Sequence, residues 1–194
     1  MTRVATPQPR APHALKIVVA GGFGVGKTTM VRSVSEIRPL HTEERMSRAA
    51  RIRRKIATTV ALDFGRITLD GGSDAVGGGH TVLHLFGVPG QERFWFLWDR
   101  IFSGTIGAVV LVDTRCLADA WPAIDRLEHL GMPFIVAVND FGGPFEGEES
   151  IRAGLGLGDD VPMVEFDARD HSSSKFVLIA LVDHLRKLSG RRTT

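Results

Sequence analysis

The stretch of sequence that decides the fold is LKIVVAGGFGVGKT, residues 15–28. Its apolar first half predicts a buried strand, and its second half fits G-x-x-x-x-G-K-[ST], the pattern of a phosphate-binding loop. The glycines let successive backbone N–H groups turn towards an anion, and a helix predicted from Gly26 adds the positive end of its dipole. We expect Lys27 to bridge the β- and γ-phosphates of a nucleotide and the Thr28 hydroxyl to bind Mg²⁺.

After this loop, short apolar runs alternate with amphipathic stretches, which is typical of a parallel sheet covered by helices. Residues 59–69 and 81–88 are predicted strands of a hairpin, because the linker between them is short and rich in glycine. Residues 106–112 and 134–138 are continuous apolar runs, as expected for strands buried on both faces. The predicted fold class is therefore α/β, with a mostly parallel sheet, one antiparallel edge pair and helices on both faces.

One domain accounts for the 194 residues of the chain. Residues 1–13 contain three prolines and no periodicity, so we interpret them as a disordered N-terminal tail. The P-loop domain is predicted over residues 14–190, with a C-terminal tail over 191–194. Its last helix is predicted over 172–188, and the inward positions would include Phe176, Ile179, Ala180 and Val182.

Composition and charge limit the cellular compartment and the kinds of partner that we expect for this chain. The formal net charge is only +2, so we expect no nucleic-acid partner. Cys116 is the only cysteine, which excludes an intrachain disulfide and fits a reducing cytoplasm. No apolar stretch approaches the ~20 residues of a membrane-spanning helix, and we identify no secretory, myristoylation or prenylation signal. We expect a cytoplasmic protein that reaches a membrane only indirectly, through a partner.

A second motif, GQERF at residues 90–94, follows the predicted strand 81–88, and a third, TTVALDF, occupies residues 58–64. With the phosphate loop, these motifs make residues 15–188 resemble the Ras-like small GTPase superfamily. The resemblance implies a regulatory protein that cycles between GDP and GTP and switches a signalling partner, with slow Mg²⁺-dependent hydrolysis. Thr59 would close on the metal and the γ-phosphate, the Gly90 N–H would bind the γ-phosphate, and Gln91 would orient the attacking water.

The resemblance also implies the residues of a guanine-nucleotide site. Asn139 begins the base-reading motif, which is normally N-K-x-D and here reads NDFG at residues 139–142. The Ala168 N–H would meet the guanine oxygen. With the phosphate loop, the expected nucleotide-binding residues are Gly22, Gly24, Val25, Gly26, Lys27, Thr28, Thr29, Asn139, Asp140, Ala168 and Arg169.

Two positions depart from the pattern of this superfamily. The metal-associated Asp is replaced by Gly87, and the base-reading Asp is replaced by Gly142. The first departure resembles bacterial Mgl-type GTPases, and FGVPGQERFWFLWDR is closer still to conservon-type GTPases of actinobacteria. In the Mgl-type group an Asp four residues after the Thr compensates, so Asp63 is the candidate metal residue; the alternative is a plain strand-edge residue. Base selectivity should fall unless Asp140 or Asp167 takes over the base contact.

A partner surface is predicted next to Gln91, where Phe94, Trp95 and Phe96 spread around a predicted helix more widely than one core face needs. The alternative is that a neighbouring helix covers them. The resemblance implies a Roadblock-type regulator as the partner. A second hypothesis is a nucleotide-bound scaffold that does not hydrolyse; Gly87 and the altered base motif favour it, and Gln91 opposes it. A P-loop kinase is disfavoured, since Thr59 and GQERF would have no role there.

Overall fold

The computed structural model describes residues 13–38, 40–46, 58–69, 80–90, 98–143 and 147–191. Its strands are β1 (His13–Gly21), β2 (Leu40–Met46), β3 (Thr58–Leu69), β4 (Thr81–Gly87), β5 (Gly107–Val112), β6 (Phe134–Asn139) and β7 (Met163–Phe166). Its helices are α1 (Lys27–Val34), α2 (Trp98–Phe102), α3 (Trp121–His129), α4 (Glu148–Leu155) and α5 (His171–Arg191), and a 3₁₀ segment (Thr114–Ala120) precedes α3.

The described strands form one sheet in the order β2-β3-β4-β1-β5-β6-β7. The neighbours from β4 to β7 run parallel, whereas β3 is antiparallel to both β2 and β4. The predicted α/β fold and the β3–β4 hairpin are therefore confirmed. The edge strand β2 was not predicted, because its sequence LHTEERM has few apolar residues and no clear alternation.

The sheet is covered by helices on both faces, as predicted. Ile17 and Val19 of β1 belong to a buried cluster with residues of α1 and α5. Val18 and Ala20 of the same strand belong to a second buried cluster with residues of α3 and α4. Successive side chains of a strand point to opposite faces, so a strand between two helical layers is apolar at every position. The continuous apolar runs from which β5 and β6 were predicted arise because both faces of these strands are buried.

The predicted inward face of helix α5 is right at Val182 and at Ala180, which packs against the core, and wrong at Phe176 and Ile179. Phe176 and Ile179 were expected to face inward but are 56% and 40% exposed. Val182 is buried as predicted, and the other buried positions of α5 are Ser174, Val177, Leu178 and Leu181. One residue corresponds to a rotation of about 100° around a helix. In a segment as apolar as FVLIALV, periodicity alone leaves that rotation undecided.

In the described part of the chain, β1 begins at His13 and α5 ends at Arg191, and the predicted domain boundaries at residues 14 and 190 remain predictions. The predicted tails, residues 1–13 and 191–194, otherwise lie outside the described residues. Among the helices that the structure describes, none has the length and apolar character needed to cross a membrane.

The rotation of α5 can be tested with two neighbouring residues. Leu178→Ala should lower the free energy of unfolding by about 2–5 kcal/mol, because Leu178 is fully buried and its removal leaves a cavity. Ile179→Ala should lower it by less than about 1 kcal/mol, because much of that side chain already contacts water. Urea unfolding of both variants measures the difference. Equal losses would mean that α5 docks with another face.

Candidate functional site

The candidate site lies at the edge of the sheet where the parallel strands end. The chain leaves β1 for the β2–β3–β4 side and later crosses to β5 on the other side of β1. In open α/β sheets, ligands bind outside the carboxyl ends of the strands at such a reversal of strand order. The connection between β1 and α1 at this point contains the predicted phosphate loop.

The phosphate loop has the backbone that its glycines predict. Gly21, Gly24 and Gly26 have φ angles of 131°, 76° and 105°, a region that favours glycine. Any side chain at Gly21 would also bring its Cβ to 2.4 Å from the carbonyl oxygen of Leu111. Helix α1 follows at once, with no acidic residue in its first turn. Its N-terminus is therefore open to an anion.

The Lys27 side chain folds back and hydrogen-bonds to the backbone of this loop. Its Nζ donates a hydrogen bond to the Gly21 carbonyl oxygen at 2.9 Å and another to the Gly22 carbonyl oxygen. Burial lowers the pKa of Lys27 to about 8, although the negative charge of Asp63 partly offsets this effect. A partly desolvated ammonium group thus lies at the loop, where polyphosphate charge would stabilise its protonated form.

Thr28 and Asp63 meet beside Lys27. The Thr28 hydroxyl donates to Asp63 Oδ2 at 2.5 Å, and Asp63 is only 6% exposed. Asp63 pairs across the β3–β4 ladder with Gly87, and a Cβ on Gly87 would lie 3.0 Å from the Asp63 Cβ. The Asp63 side chain therefore occupies the space in front of position 87. Asp63 lies on β3, between β2 and β4 in the sheet, and its role at a metal remains a prediction.

Thr28 and Asp63 offer oxygen ligands that suit Mg²⁺. In the described part of the chain, no group of three or more His, Cys, Asp or Glu side chains could hold a metal ion. Mg²⁺ bound with nucleotides does not need such a group, because water and phosphate oxygens complete its octahedron. Thr59, the third predicted metal residue, lies in β3 four residues from Asp63, roughly 13 Å along an extended strand, and its contact with the metal remains a prediction.

Gly90 brings the loop after β4 against the phosphate loop. A Cβ on Gly90 would lie 2.5 Å from the Gly21 carbonyl oxygen and 2.7 Å from the Gly22 carbonyl carbon. Only a glycine permits this approach. The next predicted site residues, namely Gln91, Phe94, Trp95 and Phe96, lie outside the described residues. Their predicted roles remain predictions.

Asn139 connects three loops at the site. Its Nδ2 donates to the Val25 carbonyl oxygen at 3.1 Å, and its Oδ1 accepts from the Ala168 N–H at 2.9 Å. Asn139 is 6% exposed, and a Cβ on Gly26 would lie 2.6 Å from its Nδ2. The structure therefore brings together predicted residues of the phosphate loop, the end of β6 and the loop after β7.

The remaining predicted residues lie at the rim of the site. Thr29 is exposed in the first turn of α1, and Gly22 packs against Asp119, which sequence reasoning did not identify. Arg169 pairs with Asp167, to which its Nη2 donates at 2.8 Å. This hydrogen bond lowers the pKa of Asp167.

The two acidic residues that could take over the base contact, Asp140 and Asp167, both line the cavity at the ends of β6 and β7, and each makes a local hydrogen bond. Asp140 Oδ1 accepts from the Gly142 N–H at 2.6 Å, which closes a local turn. Asp167 Oδ1 accepts from both the backbone N–H and the Nε of Arg169, each at 2.8 Å. Gly142 itself has a φ of 80°, so an aspartate there would be strained.

Two residues that sequence reasoning missed stack on each other beside this turn. The Arg115 guanidinium carbon lies 4.1 Å from the centroid of the Phe141 ring, and Asp113 holds the guanidinium by hydrogen bonds from Nε and Nη2. Both stacked residues line a cavity of about 330 Å³ at the ends of β6 and β7. The only available signal was their position directly after the ends of β5 and β6.

Comparison with known proteins gives two similarities. Residues 19–187 match the model of a family described as conserved hypothetical ATP binding proteins. An uncharacterized protein of Methanocaldococcus jannaschii is 31% identical over 127 residues, which cover 64% of this chain and 69% of that protein.

The family match corrects the interpretation of the short motifs. The assignment to the Ras-like small GTPase superfamily, with conservon-type and Mgl-type GTPases as the nearest relatives, is wrong, because the matching family is a different one. The expected GDP–GTP switch cycle and the Roadblock-type regulator rested on that resemblance and lose their support. The prediction of a nucleotide-binding P-loop protein is confirmed.

The environment of Lys27 predicts a pH dependence of stability. Its lowered pKa means that the folded state releases this proton near pH 8, whereas an unfolded lysine keeps it to about pH 10.5. Between these values the unfolded state binds more protons, so stability rises with pH. Relative to Lys27→Met, the wild type should gain about 1–3 kcal/mol in free energy of unfolding across this window.

Urea unfolding at a series of pH values measures this gain. Lys187→Met, which removes an exposed charge on α5, is the matched control and should run parallel to the wild type. Parallel curves for the wild type and Lys27→Met would show that the Lys27 ammonium is not desolvated.

Proposed function

Because this chain belongs to the family of conserved hypothetical ATP binding proteins, we propose that it is a Mg²⁺-dependent P-loop nucleoside triphosphatase that uses ATP. The observation that carries the proposal is the Thr28–Asp63 hydrogen bond directly beside Lys27. It places a hydroxyl, a buried carboxylate and an ammonium group together at the start of α1. Phosphoryl transfer needs such groups to position the phosphates and to stabilise their negative charge, and it needs no covalent intermediate with the protein.

The triphosphate would lie over the phosphate loop. Backbone N–H groups of residues 22–28 and the N-terminus of α1 are suited to the α- and β-phosphates. Lys27, already drawn to the loop carbonyls, is suited to the β- and γ-phosphates. In this proposal the described nucleotide-binding residues keep the roles that the phosphate-loop pattern predicts.

Thr28 and Asp63 would hold the metal ion. When bound, the ion would supply positive charge beside the polyphosphate, and these two side chains would fix where that charge lies. The Asp63 carboxylate arises from β3 and replaces a carboxylate that a residue at position 87 on β4 could otherwise provide. Their cross-strand pairing and the steric exclusion at Gly87 support this exchange.

Hydrolysis would involve the loop that follows β4. Gly90 packs against Gly21 and Gly22, so its N–H is close to the loop that would hold the triphosphate. Gln91 follows directly in the chain, and we propose that its amide orients the attacking water. The alternative is a protein that binds ATP without hydrolysing it, and the experiment below distinguishes the two.

ATP is the proposed nucleotide because the family is described as ATP binding. GTP serves as the comparison substrate.

The test is phosphate release from ATP by the wild type and by Asp63→Asn, measured over a range of Mg²⁺ concentrations. The wild type should hydrolyse ATP only with Mg²⁺. Asp63→Asn should need at least about tenfold more Mg²⁺ or lose turnover, because the metal loses its carboxylate. Asp125→Asn, the same change at an exposed position of α3, should behave like the wild type.

Each departure from this pattern would contradict a defined part of the proposal. Tight ATP binding without turnover by the wild type would exclude the hydrolase and leave a nucleotide-bound scaffold. Turnover by Asp63→Asn with an unchanged Mg²⁺ requirement would remove Asp63 from the metal site. Absence of ATP binding would overturn the proposed function altogether.

A further inference from the structure

We propose that Phe141 is the platform on which the nucleotide base stacks, and that the site accepts adenine and guanine about equally. This inference rests on the proposed nucleotide-binding function and extends it to the recognition of the base. It is carried by the Arg115–Phe141 stack and by the hydrogen bonds that occupy the polar groups around it.

The cavity beside Phe141 has a suitable size and position. Its volume of about 330 Å³ is at the lower end of the ~300–1,000 Å³ typical of ligand pockets. It is lined by Asn139, which also donates to Val25 in the phosphate loop. A nucleotide with its phosphates at α1 can therefore place its base in this cavity.

Phe141 offers an aromatic surface in this cavity. The ring is 39% exposed, and the Arg115 guanidinium packs over it with its central carbon 4.1 Å from the ring centroid. Asp113 holds Arg115 through hydrogen bonds of 2.6–3.1 Å. The ring thus contacts a planar cation, and planar groups of this kind are also those on which bases stack.

The buried polar groups next to the cavity are already used within the protein. Both ends of the Asn139 amide are engaged, one with Val25 and the other with Ala168. The Ala168 N–H, which was expected to meet a guanine oxygen, is the donor of that second bond. Neither group is directed at a base in this structure.

The carboxylates around the cavity are not buried. Asp140 is exposed and Asp167 is half-buried, and each already accepts a hydrogen bond, from the Gly142 N–H and from Arg169 respectively. Glu165 also lines the cavity, but it is exposed, so water competes with any hydrogen bond that it makes to a base. Among the described residues, no buried carboxylate is left to recognise the N1–H and the amino group of guanine.

Discrimination between bases depends on such groups. A site built to hydrogen-bond one substrate rejects an analogue strongly, because its buried polar groups are then left unpaired. Stacking on an aromatic ring contributes about 1–3 kcal/mol per base and tolerates every base, since each base has a π-face. A site that binds the base through Phe141 therefore gains affinity without selectivity.

The experiment measures dissociation constants of the full chain by calorimetry for ATP, GTP and inorganic tripolyphosphate, with Mg²⁺. ATP and GTP should bind within about tenfold of each other, and both more tightly than tripolyphosphate. Phe141→Ala should weaken ATP and GTP alike by about 5- to 150-fold and leave tripolyphosphate unchanged. Phe141→Trp should restore binding of both nucleotides, whereas Phe141→Leu should not, because leucine has no π-face.

Phe176→Ala is the matched control, since it removes an exposed phenylalanine from α5 and should change none of the three constants. A preference of more than about tenfold for either nucleotide would overturn the tolerance of the site. Equal losses for nucleotides and tripolyphosphate in Phe141→Ala, or no loss, would overturn the platform and leave the phosphate site intact. If tripolyphosphate and both nucleotides fail to bind the wild type, the proposed function itself is contradicted.

Discussion

The arrangement of the site depends on the buried amide of Asn139, which donates to the Val25 carbonyl and accepts from the Ala168 N–H. These two bonds join loops that follow β1, β6 and β7. The close approach also requires glycine at position 26, because a Cβ there would lie 2.6 Å from the amide nitrogen. Loss of either partner would leave a buried polar group unpaired, which costs about 1–3 kcal/mol. The same two hydrogen bonds therefore position both the phosphate loop and the cavity beside Phe141.

The second constraint is the pairing of β3 with β4. Asp63 and Gly87 are direct partners in an antiparallel ladder, so a carboxylate on one strand reaches the space in front of the other. The acidic group can then come from β3 and still lie beside the hydroxyl of Thr28. The site also contains the partly desolvated Lys27, so a positive ammonium group and the negative Asp63 carboxylate lie close together. Such an arrangement suits a bound metal ion and a polyphosphate, whose own charges complete it.

Several parts of this arrangement could be predicted from local sequence. The strand, loop and helix over residues 15–34 follow from an apolar run, glycines that permit positive φ, and the absence of acidic residues at the helix start. The face of α5 could not be predicted, because Phe176, Leu178 and Ile179 are all apolar and only packing decides which is buried. The family was also predicted wrongly. The short motifs at residues 58–64 and 90–94 cover little of the chain, whereas the family match extends over residues 19–187.

The sequence by itself determined that this protein has a phosphate loop between a buried strand and a helix, since each step depends on residues adjacent in the chain. It also placed Asn139 directly after a continuous apolar run. Only the tertiary structure decided what this side chain contacts, because hydrogen bonds such as Asn139–Val25 join residues 114 positions apart. The same holds for the stacking of Arg115 on Phe141, which come from loops after different strands. Local sequence determines backbone geometry, whereas contacts between distant loops arise only when the sheet aligns the ends of its strands.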